Sequence, residues 1–346
     1  MHKKKVPKDC LAEYMDRYST MDNIDGKQAR RTGTSSGLGE LFEYVLPFEK
    51  LSQLQQLTFP SHGIDSLNCT LGSLLETSAM GLGPTKIGAV AALIPTLPMF
   101  FSTWETYHSH TLFLGWFNGP TEGLIIACCL MLASGYFGAA IYHTPLENLF
   151  GLTYFLGSYT IADLLPWILL GSFAAAHLPS CIQNVVEARR RNNLPIGAVF
   201  LEWTPMLIYS TATCIWLGSP SSVVLKDNHL LLWCLTQSFV FGRMTTKIIL
   251  AHLTRRPFPM WTVLIAPLVG GAVLFGIMPV WFGVQFGESV ETFYLWCYFV
   301  FAMVVYARWA FLVISAICEF LDISCLTIPE EKQRANREAA ERGKLS

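Results

Sequence analysis

The sequence predicts an all-α fold: a polytopic integral membrane helical bundle of about eight spans. Three observations predict it. Of 346 residues, 52% are hydrophobic and only 14% are charged, where a soluble globular domain has about 25% charged residues. The apolar residues fall in long blocks rather than short alternating runs. Ten Trp, twelve Tyr and twenty-three Phe add the aromatic weight expected of a chain with two membrane interfaces. The net charge of −1 says nothing about partners beyond the bilayer, and no nucleic-acid partner is expected.

The elements follow in order. Residues 1–17 are polar (Lys3, Lys4, Lys5, Lys8, Asp9, Glu13, Asp16, Arg17). No apolar core follows Met1-His2-Lys3-Lys4-Lys5, so no signal peptide is expected. Eight blocks are long enough for a bilayer at about 1.5 Å per residue: 63–83, 86–104, 122–141, 165–187, 196–217, 229–251, 258–284 and 291–317. The first is the least apolar, with Asp65, Asn68, Ser73, Glu76 and Thr77. Such a helix survives in a membrane only when its polar face meets protein, water or ligand; Glu76 is expected to be a satisfied polar residue between helices. Arg243 and Lys247, one turn apart, are expected to snorkel to the interface. The tail 318–346 is charged and is expected to form a solvated helix.

Loop charges orient the chain. Arg189, Arg190 and Arg191 follow the fourth span, Arg255 and Arg256 the sixth, and Lys332, Arg334, Arg337, Arg342 and Lys344 the eighth, while the opposite loops hold Lys86 and Lys226. The positive-inside rule makes the first side cytosolic, which puts His62 and Asp65, at the start of the first span, on the cytosolic face. The connection 105–121 falls on the same side. It has no Lys or Arg but is aromatic, and with Trp104 reads as an interfacial loop ahead of a substrate platform, two roles that are compatible. His108 and His110 are two residues apart, share no helix face and are expected to be poor metal ligands. Eight of the ten cysteines sit in apolar blocks without CxxC spacing, which suits small buried hydrophobes rather than disulfides or zinc ligands.

The run Asp22-Asn23-Ile24-Asp25-Gly26-Lys27-Gln28-Ala29-Arg30 carries the chemistry. Two carboxylates three residues apart fall on one helix face. Hard oxygen donors hold a divalent cation, and the nearby Lys27, Arg30 and Arg31 neutralise a phosphate beside it.

Read on to Phe42 and then through His62-Gly63-Ile64-Asp65-Ser66, the chain resembles the CDP-alcohol phosphotransferase family. That family's signature is DxxDGxxAR, eight residues, G, three residues, D, three residues, D. Asp22, Asp25, Gly26, Ala29, Arg30, Gly39 and Asp65 match it. The wording DGKQARRT…LGELF…HGIDS, with TWETYHSHTLFLGWFNGPTEG over 103–123, looks like the choline/ethanolamine phosphotransferase branch. The likeness runs from about Tyr18 to the last span, so 18–317 is expected to form the family's membrane domain.

The resemblance implies a reaction. CDP-choline or CDP-ethanolamine gives its phosphoalcohol to the hydroxyl of diacylglycerol, and CMP leaves; which alcohol is preferred stays open. Mg²⁺ or Mn²⁺ is implied as cofactor, with Asp22, Asp25 and Asp65 as ligands. Arg30 would pair with phosphate, and Gly26, Ala29 and Gly39 would line the nucleotide site. His62 lies three residues before Asp65, and an imidazole near neutral pKa suits the base that activates a lipid hydroxyl, with Asp65 beside it. The resemblance also implies an endoplasmic reticulum or Golgi membrane, a site facing the cytosol and, often, a homodimer.

The chain departs from the family at two places. The family expects one Asp directly before His-Gly; here residues 43–61, nineteen in all, fill that position. Glu43 is the acid left near it and the candidate to replace that Asp as a metal ligand, but it is no longer four residues from Asp65, and Ser61, which holds that spacing, is a poor ligand. The excess of eighteen residues equals fifty-four nucleotides in frame, and we read the segment as a translated, unspliced intron. Glu43-Tyr44-Val45 is encodable as GA|GTATGT and Leu57-Thr58-Phe59-Pro60-Ser61 as CTNACTTTTCCCAG|C, a donor and an acceptor whose removal joins GA to C and restores an Asp codon. The expected consequence is a catalytically impaired isoform. The polar N-terminus is the second departure: family members carry membrane helices before the motif, so the chain reads as truncated there.

Overall fold

The computed structural model describes the backbone of residues 59–109, 119–150 and 158–321, and side chains within these from Ser66 onward, apart from 110–124, 150 and 320–321. The chain divides into two compact units, residues 59–307 and residues 1–58 with 308–346. Among the described residues there is no β-strand. Eight long helical segments account for the larger unit: α1 Phe59–Ala79, α2 Lys86–Ser109, α3 Gly119–Phe137, α4 Ile161–Arg191, α5 Thr204–Gly218, α6 Leu230–Leu253, α7 Ile265–Phe282 and α8 Glu288–Leu321, the last ending in the smaller unit. Four of them (α2, α4, α7 and α8) are long and apolar enough to cross a membrane. The protein is a polytopic, all-α membrane protein, and each of the eight expected spans overlaps one of these helices.

Helix α1 shows how a polar sequence is tolerated at membrane depth. It starts at Phe59 with Pro60 in its first turn, where the missing N–H costs no intrahelical bond. Ser66, Thr70, Ser73 and Thr77 recur every three or four residues and are all buried. Their hydroxyls turn inward: Ser73 donates to the Cys69 carbonyl at 2.5 Å and Thr77 to the Ser73 carbonyl at 2.6 Å, so no donor faces apolar surroundings unpaired. The helix stops before Gly81, whose φ of +69° is a left-handed value that a side chain would oppose.

Local chemistry sets the other boundaries. Thr85 caps α2, accepting from Gly88 N at 3.0 Å. Pro95 interrupts that helix after one short segment, and it resumes from Thr96 to Ser109. In α4, Thr160 and Asp163 form a capping box at the start, and a π-helical turn spans Phe173–His177. A second π turn, Ala272–Ile277, sits inside α7. The expected span 258–284 begins late, because Pro257 and Pro259 withhold helix until Ile265. The expected loop 105–121 begins late as well: α2 runs on to Ser109, and Trp104 is wholly buried rather than interfacial.

Helix α1 packs most extensively on α6. Thr70 Oγ1 lies 2.8 Å from Ser238 Oγ, and Gly242 lets Leu67 approach so closely that a Cβ there would meet its Cδ2 at 2.9 Å. Trp104, Trp216, Trp233, Tyr209, Phe100 and Phe241 fill the centre of the bundle. Outward-facing apolar residues such as Phe293 and Trp281 match lipid chains, which are as apolar as they are.

At the end of the bundle where α6 begins, Glu291 is 4% exposed and accepts from Trp216 Nε1 at 2.8 Å, Ser222 Oγ at 2.8 Å and Val223 N at 3.2 Å. Lys226 pairs with Glu288 on the surface nearby, and that hydrogen bond and charge raise the lysine's pKa.

Candidate active site

The site expected from sequence falls partly on the described residues. Asp22, Asp25, Gly26, Ala29, Arg30, Gly39 and Glu43 lie outside them. His62 and Asp65 lie in the first two turns of α1, three residues apart and therefore on one face. Among the described residues no group of three or more His, Cys, Asp or Glu is placed to hold a metal ion.

The surroundings of that turn can be built from helix registers. The pairs Thr70–Ser238 and Leu67–Gly242 run antiparallel, so the last three turns of α6 pass alongside the start of α1. Helix α2 ends at the same place. The Tyr107 hydroxyl donates to the Arg256 carbonyl at 2.9 Å, and its ring packs edge-on to Phe258, with centroids 5.3 Å apart, and 6.4 Å from His252. Arg189, at the end of α4, is close enough to act on Tyr107 electrostatically. Two of the three basic clusters that orient the sequence, Arg189–Arg191 and Arg255–Arg256, therefore meet at the end of the bundle where α1 begins.

Two carboxylates that sequence reading did not select are fixed at this end. Glu202, in the 3₁₀ turn Gly197–Trp203, uses one oxygen, Oε2, to accept from Trp104 Nε1 at 2.9 Å and to pair with His108 Nε2 at 2.6 Å. Glu105, 5% exposed, accepts from Asn184 Nδ2 at 2.7 Å. The signal was present in the run Trp104–His108, where an acid and a histidine interrupt an apolar block, but their partners are almost eighty or more residues away. His108 is thus paired with a carboxylate; His110 lies outside the described residues.

Three other expectations fall on described residues. Arg243 donates to Thr262 Oγ1 at 2.6 Å and Lys247 to the Trp261 carbonyl at 2.7 Å, pinning the segment before α7. Glu76 lines a narrow cavity with Ser73, Thr77, Met80, Pro95 and Pro166, and its carboxylate accepts no hydrogen bond from a described residue. The buried cysteines Cys181 and Cys234 are free thiols, as their apolar settings suggest.

Fold and site together define a helical membrane protein with a polar end where α1, α2, α4 and α6 converge. No protein-family model matches the chain. Individual relatives do. It is 30% identical over 333 residues, covering 91% of this chain and 75% of the relative, to an uncharacterized CDP-alcohol phosphatidyltransferase class-I family protein of Schizosaccharomyces pombe. It is 29% identical over 334 residues to choline/ethanolaminephosphotransferase 1 of Saccharomyces cerevisiae (91% of this chain, 76% of the relative). It is 28% identical over 329 residues to cholinephosphotransferase 1 of the same yeast (91% and 77%). The chain belongs to the CDP-alcohol phosphatidyltransferase class-I family, whose members are enzymes that transfer phosphate groups.

Proposed function

We propose that this protein transfers phosphocholine or phosphoethanolamine from the CDP-alcohol to diacylglycerol, releasing CMP and forming phosphatidylcholine or phosphatidylethanolamine. The observation that carries the reading is the match at Asp22, Asp25, Gly26, Ala29, Arg30, Gly39 and Asp65, together with relatives whose names state these reactions. Phosphoryl transfer asks a protein for alignment and charge neutralisation more than for covalent participation, and these residue types supply both. Asp22, Asp25 and Asp65 form a set of hard oxygen donors suited to Mg²⁺ or Mn²⁺. Held by these carboxylates, such an ion would supply positive charge to offset that of the diphosphate and of the leaving CMP. Arg30 pairs with phosphate oxygens, while Gly26, Ala29 and Gly39 let the nucleotide lie against backbone. His62, on the same α1 face as Asp65, takes the proton of the diacylglycerol hydroxyl.

The meeting of Arg189 and Arg256 at this end of the bundle supports a cytosolic site in an endoplasmic reticulum or Golgi membrane. There a charged CDP-alcohol arrives from water and diacylglycerol from the bilayer. Pairing into a homodimer belongs to the same proposal.

The segment 43–61 favours a second reading. It stands where the family's remaining Asp belongs, and a metal ligand has to be placed within about 0.5 Å. Under this reading the chain keeps the bundle, and its metal site lacks one acid, with Glu43 the closest substitute in sequence. The two readings part in one experiment. Express the chain in membranes and measure Mg²⁺-dependent CMP release from each CDP-alcohol with diacylglycerol, beside a variant with one Asp in place of 43–61. Release by the unaltered chain supports the first reading. Silence in it and release in the variant supports the second. Genomic DNA lacking GT and AG at the stated phases would remove the intron account.

A further inference from the structure

A second polar feature lies between α5 and α6. The two helices run antiparallel, and two ring pairs set their register: Trp216 against Trp233, centroids 4.8 Å apart, and Tyr209 beside Phe241 at 6.0 Å. Between these pairs Thr213 stands level with Gln237. Tyr209, Thr213, Trp233 and Gln237 are each at most 1% exposed. Yet among the described residues the Tyr209 and Thr213 hydroxyls and the Trp233 indole N–H have no hydrogen-bond partner, and the Gln237 amide has only the Tyr298 hydroxyl beside it. The neighbours are already committed. The Tyr298 hydroxyl, beside both Tyr209 and Gln237, gives its one proton to the Leu264 carbonyl at 2.8 Å and can only accept from the Gln237 amide N–H, and Ser238 is bonded to Thr70 and the Cys234 carbonyl.

So many unpaired groups on facing helices are out of keeping with protein interiors, where buried polar atoms find partners. Their chemistry identifies what fits. The indole only donates, the amide donates at one end and accepts at the other, and the hydroxyls do both. No group is charged, and Trp216 and Phe241 wall the layer with aromatic carbon. That set matches a small neutral molecule that both donates and accepts, and internal waters bond to about three such groups each.

We infer that Thr213, Gln237 and Tyr209 hold ordered water between α5 and α6, bridging two helices whose side chains do not bond directly. The water keys Thr213 to Gln237 much as Thr70 is keyed to Ser238.

The test uses the full chain purified in detergent, with Thr213→Val, Gln237→Leu and the double variant compared by thermal unfolding. If water bridges the pair, each single substitution lowers the midpoint and the double variant falls no further than the worse single one, because both remove the same bridge. A midpoint raised by either substitution overturns the inference, since removing unpaired polar groups from a dry layer stabilises it. Additive losses overturn it too. Should a variant fail to fold, a map of the unaltered chain that resolves these side chains decides: density within hydrogen-bond distance of Thr213 Oγ1 and the Gln237 amide is expected, and its absence contradicts the proposal.

Discussion

Thr70 of α1 and Ser238 of α6 share a buried hydrogen bond of 2.8 Å, and the Ser238 hydroxyl also lies 3.0 Å from the Cys234 carbonyl of its own helix. This bond and the close approach of Leu67 to Gly242 set how α6 lies beside the turn that carries His62 and Asp65. Thr70→Val and Ser238→Ala are each expected to cost about 0.6 kcal/mol, the mean for such bonds between membrane helices, and to be non-additive when combined. Thermal unfolding of the three variants in detergent checks this; additive losses would mean that the bond contributes nothing to the register.

Gly271 is expected to tolerate no side chain. A Cβ there would stand 1.9 Å from the Trp216 ring, and that indole cannot swing aside because its Nε1 is bonded to Glu291 at 2.8 Å. Gly271→Ala should destabilise by roughly 1–3 kcal/mol through overpacking. Trp216→Phe removes the colliding ring atoms, so the double variant should recover part of the loss in the same unfolding assay.

Glu291 gathers three donors in a buried setting. Glu291→Gln keeps an acceptor and should be the milder change. Glu291→Leu strands an indole N–H, a hydroxyl and a backbone N–H, each costing about 1–3 kcal/mol when buried unpaired. The expected order of folded yield, read by size-exclusion chromatography, is native, then Gln, then Leu. A Leu variant as stable as the native chain would show that the carboxylate is dispensable.

For activity, Asp65→Asn and chelation of divalent ions are each expected to lower CMP release at least about a hundredfold, as fits the loss of several kcal/mol of metal-based charge stabilisation. Asp65→Asn should leave the unfolding midpoint of the bundle nearly unchanged, so that lost activity is separable from lost fold. A variant that retains full rates would remove Asp65 from the reaction.

Much of the fold was legible in the sequence because hydrophobic block length is a direct consequence of bilayer thickness. What block length does not encode was missed. The break at Pro95 and the late start of α7 at Ile265 depend on where proline interrupts a block, and both lay inside uniformly apolar runs. The continuation of α2 through Glu105, Tyr107 and His108 depends on Asn184, Glu202 and Arg256, which supply polar partners only once the chain has folded. The motif residues announced the family because phosphoryl transfer constrains residue type and spacing closely. Glu105 and Glu202 carried no such pattern, and their placement is tertiary.

The most direct test of the account is CMP release by the chain carrying one Asp in place of residues 43–61, assayed in membranes with CDP-choline or CDP-ethanolamine. The account predicts release that requires both diacylglycerol and Mg²⁺ and is lost with Asp65→Asn. No release from either CDP-alcohol by the folded, membrane-inserted protein, or release indifferent to diacylglycerol, would contradict it.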